Sequence, residues 1–164
     1  MARSVKSSPP PDPAVRDAAT RFMTSIWQLQ RELGHELDPL LRERAGTDPR
    51  AYFLLRTIQD GAQYPKVLSE CLGIPPNLLS RFLSDLSAHG LIARQMDEQD
   101  SRRVRLSLTP AGTRALGQAE EVIHDCIGAR LGRLDVPQLA ALLDALRTLT
   151  SPDPHPCTTQ GTRP

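Results

Sequence analysis

Four side chains between residues 76 and 88 are of types that can read the edges of bases in duplex DNA. Asn77, Ser80, Arg81 and Ser84 recur at helical spacing on one face, together with Ala88, while Leu79, Phe82, Leu83 and Leu86 fill the other. A helix entering a major groove about 12 Å wide needs short side chains for close approach, plus donors and acceptors for base edges. Arg81 suits the O6 and N7 acceptors of guanine, and Asn77 suits adenine. Ser80 and Ser84 can take a base or a phosphate, and Pro76 at the helix start completes the candidate set. An ordinary solvated helix shows the same division into an apolar and a polar face, so this helix alone does not decide.

The segment beyond this helix shifts the balance. Past Gly90 the period changes from helix to strand: Leu91–Met96, then Val104–Leu108, where Val104, Leu106 and Leu108 alternate with Arg105 and Ser107. Arg94 stands on the first strand, and Arg102, Arg103 and Arg105 cluster at the second. An Arg-bearing hairpin beside such a helix suits phosphates and the neighbouring minor groove. Asp97, Glu98 and Asp100 lie in the same hairpin and oppose that reading. Asp100 is expected to be structural, pinning Arg102 across the loop. A salt-bridged surface hairpin is the plain alternative.

The elements that must position these groups are mostly helices. From Asp12 to about Arg44, Phe22, Ile26, Leu29, Leu33, Leu37 and Leu40 give a long helical stripe, with Asp38-Pro39 a place for a kink. Thr47 or Asp48 can cap a second helix opened by Pro49 and running to about Gln59. A short third helix covers Pro65 to Leu72, and Gly73 turns the chain into the fourth. After the hairpin, Thr109 and Pro110 start a fifth helix, and a last one runs from about Pro137 to Leu149. The fold class is therefore mainly α with a small β-hairpin, a winged helix-turn-helix.

Residues 1–13 and 151–164 are Pro-rich without apolar periodicity and are expected to be disordered tails around one domain, 14–150. The stretch 72–112 would carry the reading helix and wing, and 14–45 with 110–150 the dimerisation helices. One small winged domain cannot cover the leucine stripe of the last helix as well as the long first helix, so a homodimer is expected. Its two-fold symmetry would call for a pseudo-palindromic operator.

Composition restricts the alternatives. Of 20 basic residues only Lys6 and Lys66 are lysine, and the net charge is +1, so any DNA contact rests on local charge. No stretch approaches the roughly 18 apolar residues of a membrane span, and the first residues lack the apolar core of a secretory signal. Three cysteines without close spacing fit neither a disulfide framework nor a metal site, and a cytoplasmic protein without cofactor is expected. The histidines, His35, His89, His124 and His155, are scattered, with no Ser/His/Asp set or phosphate loop, so an enzyme is not indicated.

Two further sets bear on control. Trp27, Arg31 and His35 are spaced by four along the first helix, and Tyr52 and Arg56 by four along the second. Together they could hold a small aromatic or anionic effector; the plainer reading is interface core with solvated charges. Cys71 and Cys126 are the candidates for redox control, although a buried cysteine usually acts as a small hydrophobe.

The run Leu72-Gly73-Ile74, then Ser80-Arg81-Phe82-Leu83-Ser84-Asp85-Leu86 and His89-Gly90-Leu91-Ile92, resembles the recognition-helix region of MarR-family regulators. So does Arg94 with Asp97, Asp100-Ser101-Arg102-Arg103 and Leu106-Ser107-Leu108-Thr109-Pro110-Ala111-Gly112. The resemblance covers roughly residues 14–150 and is tight over 72–112. It implies a homodimeric DNA-binding transcriptional regulator, a repressor released by a small ligand, with the fourth helix in the major groove and the hairpin in the minor groove. Leu78 departs from the family's small polar residue, and Pro75-Pro76 is unusual at that helix start. The peroxide-sensing branch carries a cysteine near the start of the first helix, where this chain has none. A winged-helix module that binds protein is the alternative of another class.

Overall fold

A computed structural model describes residues 12–97 and 103–150. The element order is α1 (Pro13–Ala45), α2 (Pro49–Gln59), α3 (Pro65–Leu72), α4 (Pro76–Ala88), β1 (Ile92–Met96), β2 (Val104–Leu108), α5 (Pro110–Leu131) and α6 (Val136–Leu149). Nearly all of the two expected tails, and the wing positions Asp100 and Arg102, lie outside the described residues. No helix among the described residues is long and apolar enough to cross a membrane.

The chain divides between Glu36 and Leu37 into two compact units. In the first, α1 carries Val15, Phe22, Met23, Trp27 and Leu29 as exposed apolar side chains. Asp17 and Arg21 pair across one turn at 3.1 Å.

The second unit holds the winged helix. Its main core joins Leu54, Leu55 and Ile58 of α2, Leu68 of α3, Leu79, Leu83 and Leu86 of α4, Ile92 and Leu106 of the hairpin, and Leu116 of α5. A smaller cluster joins Leu41 and Ala45 to Ala119 and Val122 of α5. The helix starts follow the sequence. Asp48 rather than Thr47 caps α2, accepting from Ala51 N–H at 2.7 Å. Thr109 caps α5, with Pro110 in its first turn, and Asp135 with Gln138 forms a reciprocal capping box on α6. The first helix runs on through Pro39.

Two boundaries move from expectation. Strand β1 begins at Ile92 rather than Leu91, because the Leu91 carbonyl is taken by Thr109 N–H at 3.1 Å instead of by a ladder partner. The last helix opens one residue earlier, at Val136, because Asp135 supplies the cap. That helix buries none of its residues, and Leu142, Leu143, Leu146 and Leu149 stay exposed.

Candidate nucleic-acid interface

Helix α4 is fixed from both sides. Gly73 adopts a left-handed φ of 62°, which a side chain would strain. Ser69 Oγ then donates to the Ile74 carbonyl at 2.6 Å and closes the turn into α4. With Leu79, Leu83 and Leu86 buried, the opposite face is presented to solvent, and Pro76, Asn77, Ser80, Arg81 and Ser84 are all exposed.

These residues are not equivalent. The Ser84 hydroxyl donates to the Ser80 carbonyl at 2.9 Å and accepts from Arg94 Nη2 at 3.4 Å. Its hydrogen is therefore spent within the helix. Asn77 and Arg81, one turn apart, make no hydrogen bond or ion pair among the described residues and keep their donor sets open.

The hairpin is antiparallel, with Arg94 opposite Leu106, Gln95 opposite Arg105 and Met96 opposite Val104. Alternation along a strand puts Arg94 on the face of the buried Leu106 and Arg103 and Arg105 on the other. The sequence separated Arg94 on the first strand from the cluster at the second, and the register further puts Arg94 and Arg105 on opposite faces. Arg94 leans on α4 and, with Ser80 and Pro76, borders a largely apolar cleft of about 560 Å³ walled by Leu79, Leu83 and Leu106.

Two residues that sequence reasoning missed hold the other side of the wing. Gln63, between α2 and α3, accepts from Leu106 N–H at 2.7 Å through its backbone and from Arg105 Nε at 2.6 Å through its side chain. Tyr64 donates its hydroxyl to Asp97 Oδ2 at 2.5 Å. Its ring centre lies 6.0 Å from the Arg103 guanidinium. The hydrogen bond to Asp97, with burial and the charge of that carboxylate, raises the Tyr64 pKa above its ordinary value. No local pattern could have revealed these pairs, since the partners lie 33 and 42 residues away.

The expected effector set is distributed over both units. In the first, the Arg31 guanidinium sits 5.3 Å over the Trp27 ring, and His35 is exposed. In the second, Tyr52 is half-buried against both core clusters, and burial is the main cause of its raised pKa. Arg56 is already engaged, with Glu120 at 2.7 Å and Asp60 at 3.0 Å. Cys71, half-buried in α3, is disulfide-bonded, which the cysteine spacing did not lead us to expect, and Cys126 is buried in α5 as a free thiol. No group of three or more His, Cys, Asp or Glu side chains that could hold a metal occurs among the described residues.

The arrangement of α3, turn, α4 and hairpin superimposes on solved regulators. A mutant of E. coli MarR complexed with operator DNA matches with a TM-score of 0.64 at 22% identity, over 79% of this chain and 96% of that one. This is the fold of the MarR family. The PcaV transcriptional regulator from Streptomyces coelicolor, solved with its natural ligand, shares the MarR fold with a TM-score of 0.68. It is 22% identical, over 87% of this chain and 96% of that one. In sequence the chain is 28% identical to the organic hydroperoxide resistance transcriptional regulator of Bacillus subtilis (strain 168). That match spans 124 residues, 76% of this chain and 83% of the relative. No protein-family model matches the chain.

Proposed function

We propose that this MarR-fold chain is a sequence-specific DNA-binding transcriptional regulator acting as a homodimer. The observation that carries the reading is the open donor set of Asn77 and Arg81 on the exposed face of α4, next to an Arg-bearing hairpin. The operator complex of the E. coli relative supports it. The exposed leucines of α6 and the apolar residues of α1 support the dimer, since a second copy is the simplest way to remove them from water.

Selection of bound duplexes from random DNA tests both parts. Enrichment of an inverted repeat with half-sites about one helical turn apart is expected. Leu143→Glu combined with Leu146→Glu should shift the protein to monomer by sedimentation and lose preference for the repeat over a single half-site. Absence of any enriched sequence would favour a protein-binding module instead.

Repression relieved by a small effector is the finer part of the proposal. The cleft beside Arg94 and Ser80 suits an aromatic anion better than the set including Arg56, whose charge is already matched by two carboxylates. An aromatic carboxylate such as benzoate should weaken operator binding, and Arg94→Ala should abolish that sensitivity. An unchanged response in that variant would rule the cleft out. A cysteine-based redox regulator is the second reading, carried by the disulfide-bonded Cys71 alone, since Cys126 is buried and α1 contains no cysteine.

A further inference from the structure

Helix α4 carries its outward ridge between two flanks. Phe82 and Ser84 stand two residues apart, and at 3.6 residues per turn they fall on opposite sides of the helix. Asn77, Arg81 and Ala88 run along the ridge between them. On the Ser84 side, Arg94 of the wing donates to the Ser84 hydroxyl at 3.4 Å. On the Phe82 side, Arg50 from the first turn of α2 holds its guanidinium over the Phe82 ring, 4.3 Å from the ring centre. The ridge is thus bracketed by two arginines, one from the wing and one from α2. Sequence reasoning singled out only the first.

Both members of the second pair are fixed. Asp48 caps α2 by accepting from Ala51 N–H at 2.7 Å, and Leu54 and Leu55 of the next turn are buried. Phe82 is half-buried and packs against the main core. A guanidinium held over an aromatic face keeps the N–H groups of its own plane available at the edge. Arg50 is exposed and makes no hydrogen bond or ion pair among the described residues, so that edge is open. Two carboxylates stand nearby, since Asp48 and Asp85 line the same small recess as Arg50. Asp48 is engaged by the cap, and Asp85 forms no ion pair among the described residues. The Arg50 charge therefore has to be weighed against an acid on the flank of α4.

A helix with its side chains is about 10–12 Å across and fills a major groove about 12 Å wide, so each flank faces the phosphates of one strand. We propose that Arg50 is a phosphate contact at the groove wall opposite Arg94, with Phe82 the positioning residue that holds it there. This inference rests on the DNA-binding function proposed for the chain. Arg50→Gln should weaken every duplex alike, about fivefold at low salt, and flatten the salt dependence by about one unit of slope. Single neutral methylphosphonate linkages, scanned through the selected duplex, should reveal one phosphate in each half-site where the wild type loses affinity and Arg50→Gln loses none. Phe82→Leu keeps the apolar packing and removes the ring face. It should reproduce most of the loss and add little to Arg50→Gln, while Phe82→Tyr should bind like the wild type.

Neutralising Asp85 is the competing role for Arg50. In that case the loss on Arg50→Gln would vanish in an Asp85→Asn background, whereas a phosphate contact keeps it there. An Arg50→Gln protein that binds like the wild type would overturn the proposal, as would a loss equal at every salt concentration or a scan with no silenced linkage. Undiminished affinity in Phe82→Leu would remove the ring from the proposal's positioning role. Thermal melting of each variant separates loss of fold from loss of contact. Should a Phe82 variant fail to fold, the exposed Arg50 still decides through its own substitution. Wild-type protein that binds no duplex would instead refute the DNA-binding reading itself, whatever the variants do.

Discussion

Gly112→Ala should lower the midpoint of thermal unfolding by roughly 10 °C. Gly112 is buried in the first turn of α5. A Cβ there would stand 2.9 Å from the Leu91 carbonyl carbon and inside the van der Waals envelope of the Leu91 oxygen. Neither side can yield cheaply. Leu91 N–H donates to Leu86 O at 2.9 Å, which ties it to the end of α4, and Ile92 beside it is buried and paired with Leu108. On the other side, Gly112 N–H donates to Thr109 Oγ1 at 3.0 Å, and Thr109 donates to Gly90 O at 2.6 Å. Admitting one methyl group means pulling α5 away from the α4–β1 turn or breaking this cap.

Forcing atoms into a packed site typically costs about 1–3 kcal/mol; rigid backbone on both sides puts this one at the upper end, and for a chain of this size each kcal/mol shifts the midpoint by about 2–4 °C. Gly117 supplies the control. It lies in the same helix with nothing within 4 Å of an added Cβ. Gly117→Ala should therefore stabilise by up to about 1 kcal/mol through helix propensity. A Gly112→Ala protein that melts within a degree or two of wild type would show that the joint is looser than its geometry.

That joint was partly legible in the sequence. Thr109-Pro110 marks a helix start through local chemistry, a side-chain cap and a missing N–H, and the helix does begin there. The apolar stripe of α4 was legible for the same reason, since its period of 3.6 is a property of the segment itself. What the sequence could not supply were pairings between distant segments. Arg56 stood out because it lies four residues from Tyr52, yet Glu120, 64 residues on, occupies it. Asp97 counted as one of three acids weakening the wing, and Tyr64, 33 residues earlier, takes its carboxylate. Ser84 read as a contact to base or phosphate, like Ser80, and the structure shows its hydroxyl hydrogen turned back to the Ser80 carbonyl. Residue type and spacing describe what a side chain can do; its tertiary neighbours determine how much of that capacity remains.

Arg81→Ala should cost about 1–3 kcal/mol on the selected operator and relax preference at one base pair of each half-site. Arg81 is the only cation among the candidate face residues of α4 itself, Pro76, Asn77, Ser80, Arg81 and Ser84. Exposed and one turn from Asn77, it keeps its full fork of donors, whereas Ser84 is left mainly an acceptor. A guanidinium in that state forms two parallel hydrogen bonds with guanine O6 and N7, a geometry that lysine cannot copy. Arg81→Lys should therefore keep much of the non-specific affinity and still lose the discrimination. The contrast is Arg105→Ala on the wing, which should weaken all duplexes alike and flatten the salt dependence by about one unit of slope. Binding curves on a panel of single base-pair operator variants separate the two effects. If Arg81→Ala weakens every sequence by the same factor, that arginine holds phosphate, and base reading by α4 falls to Asn77 alone.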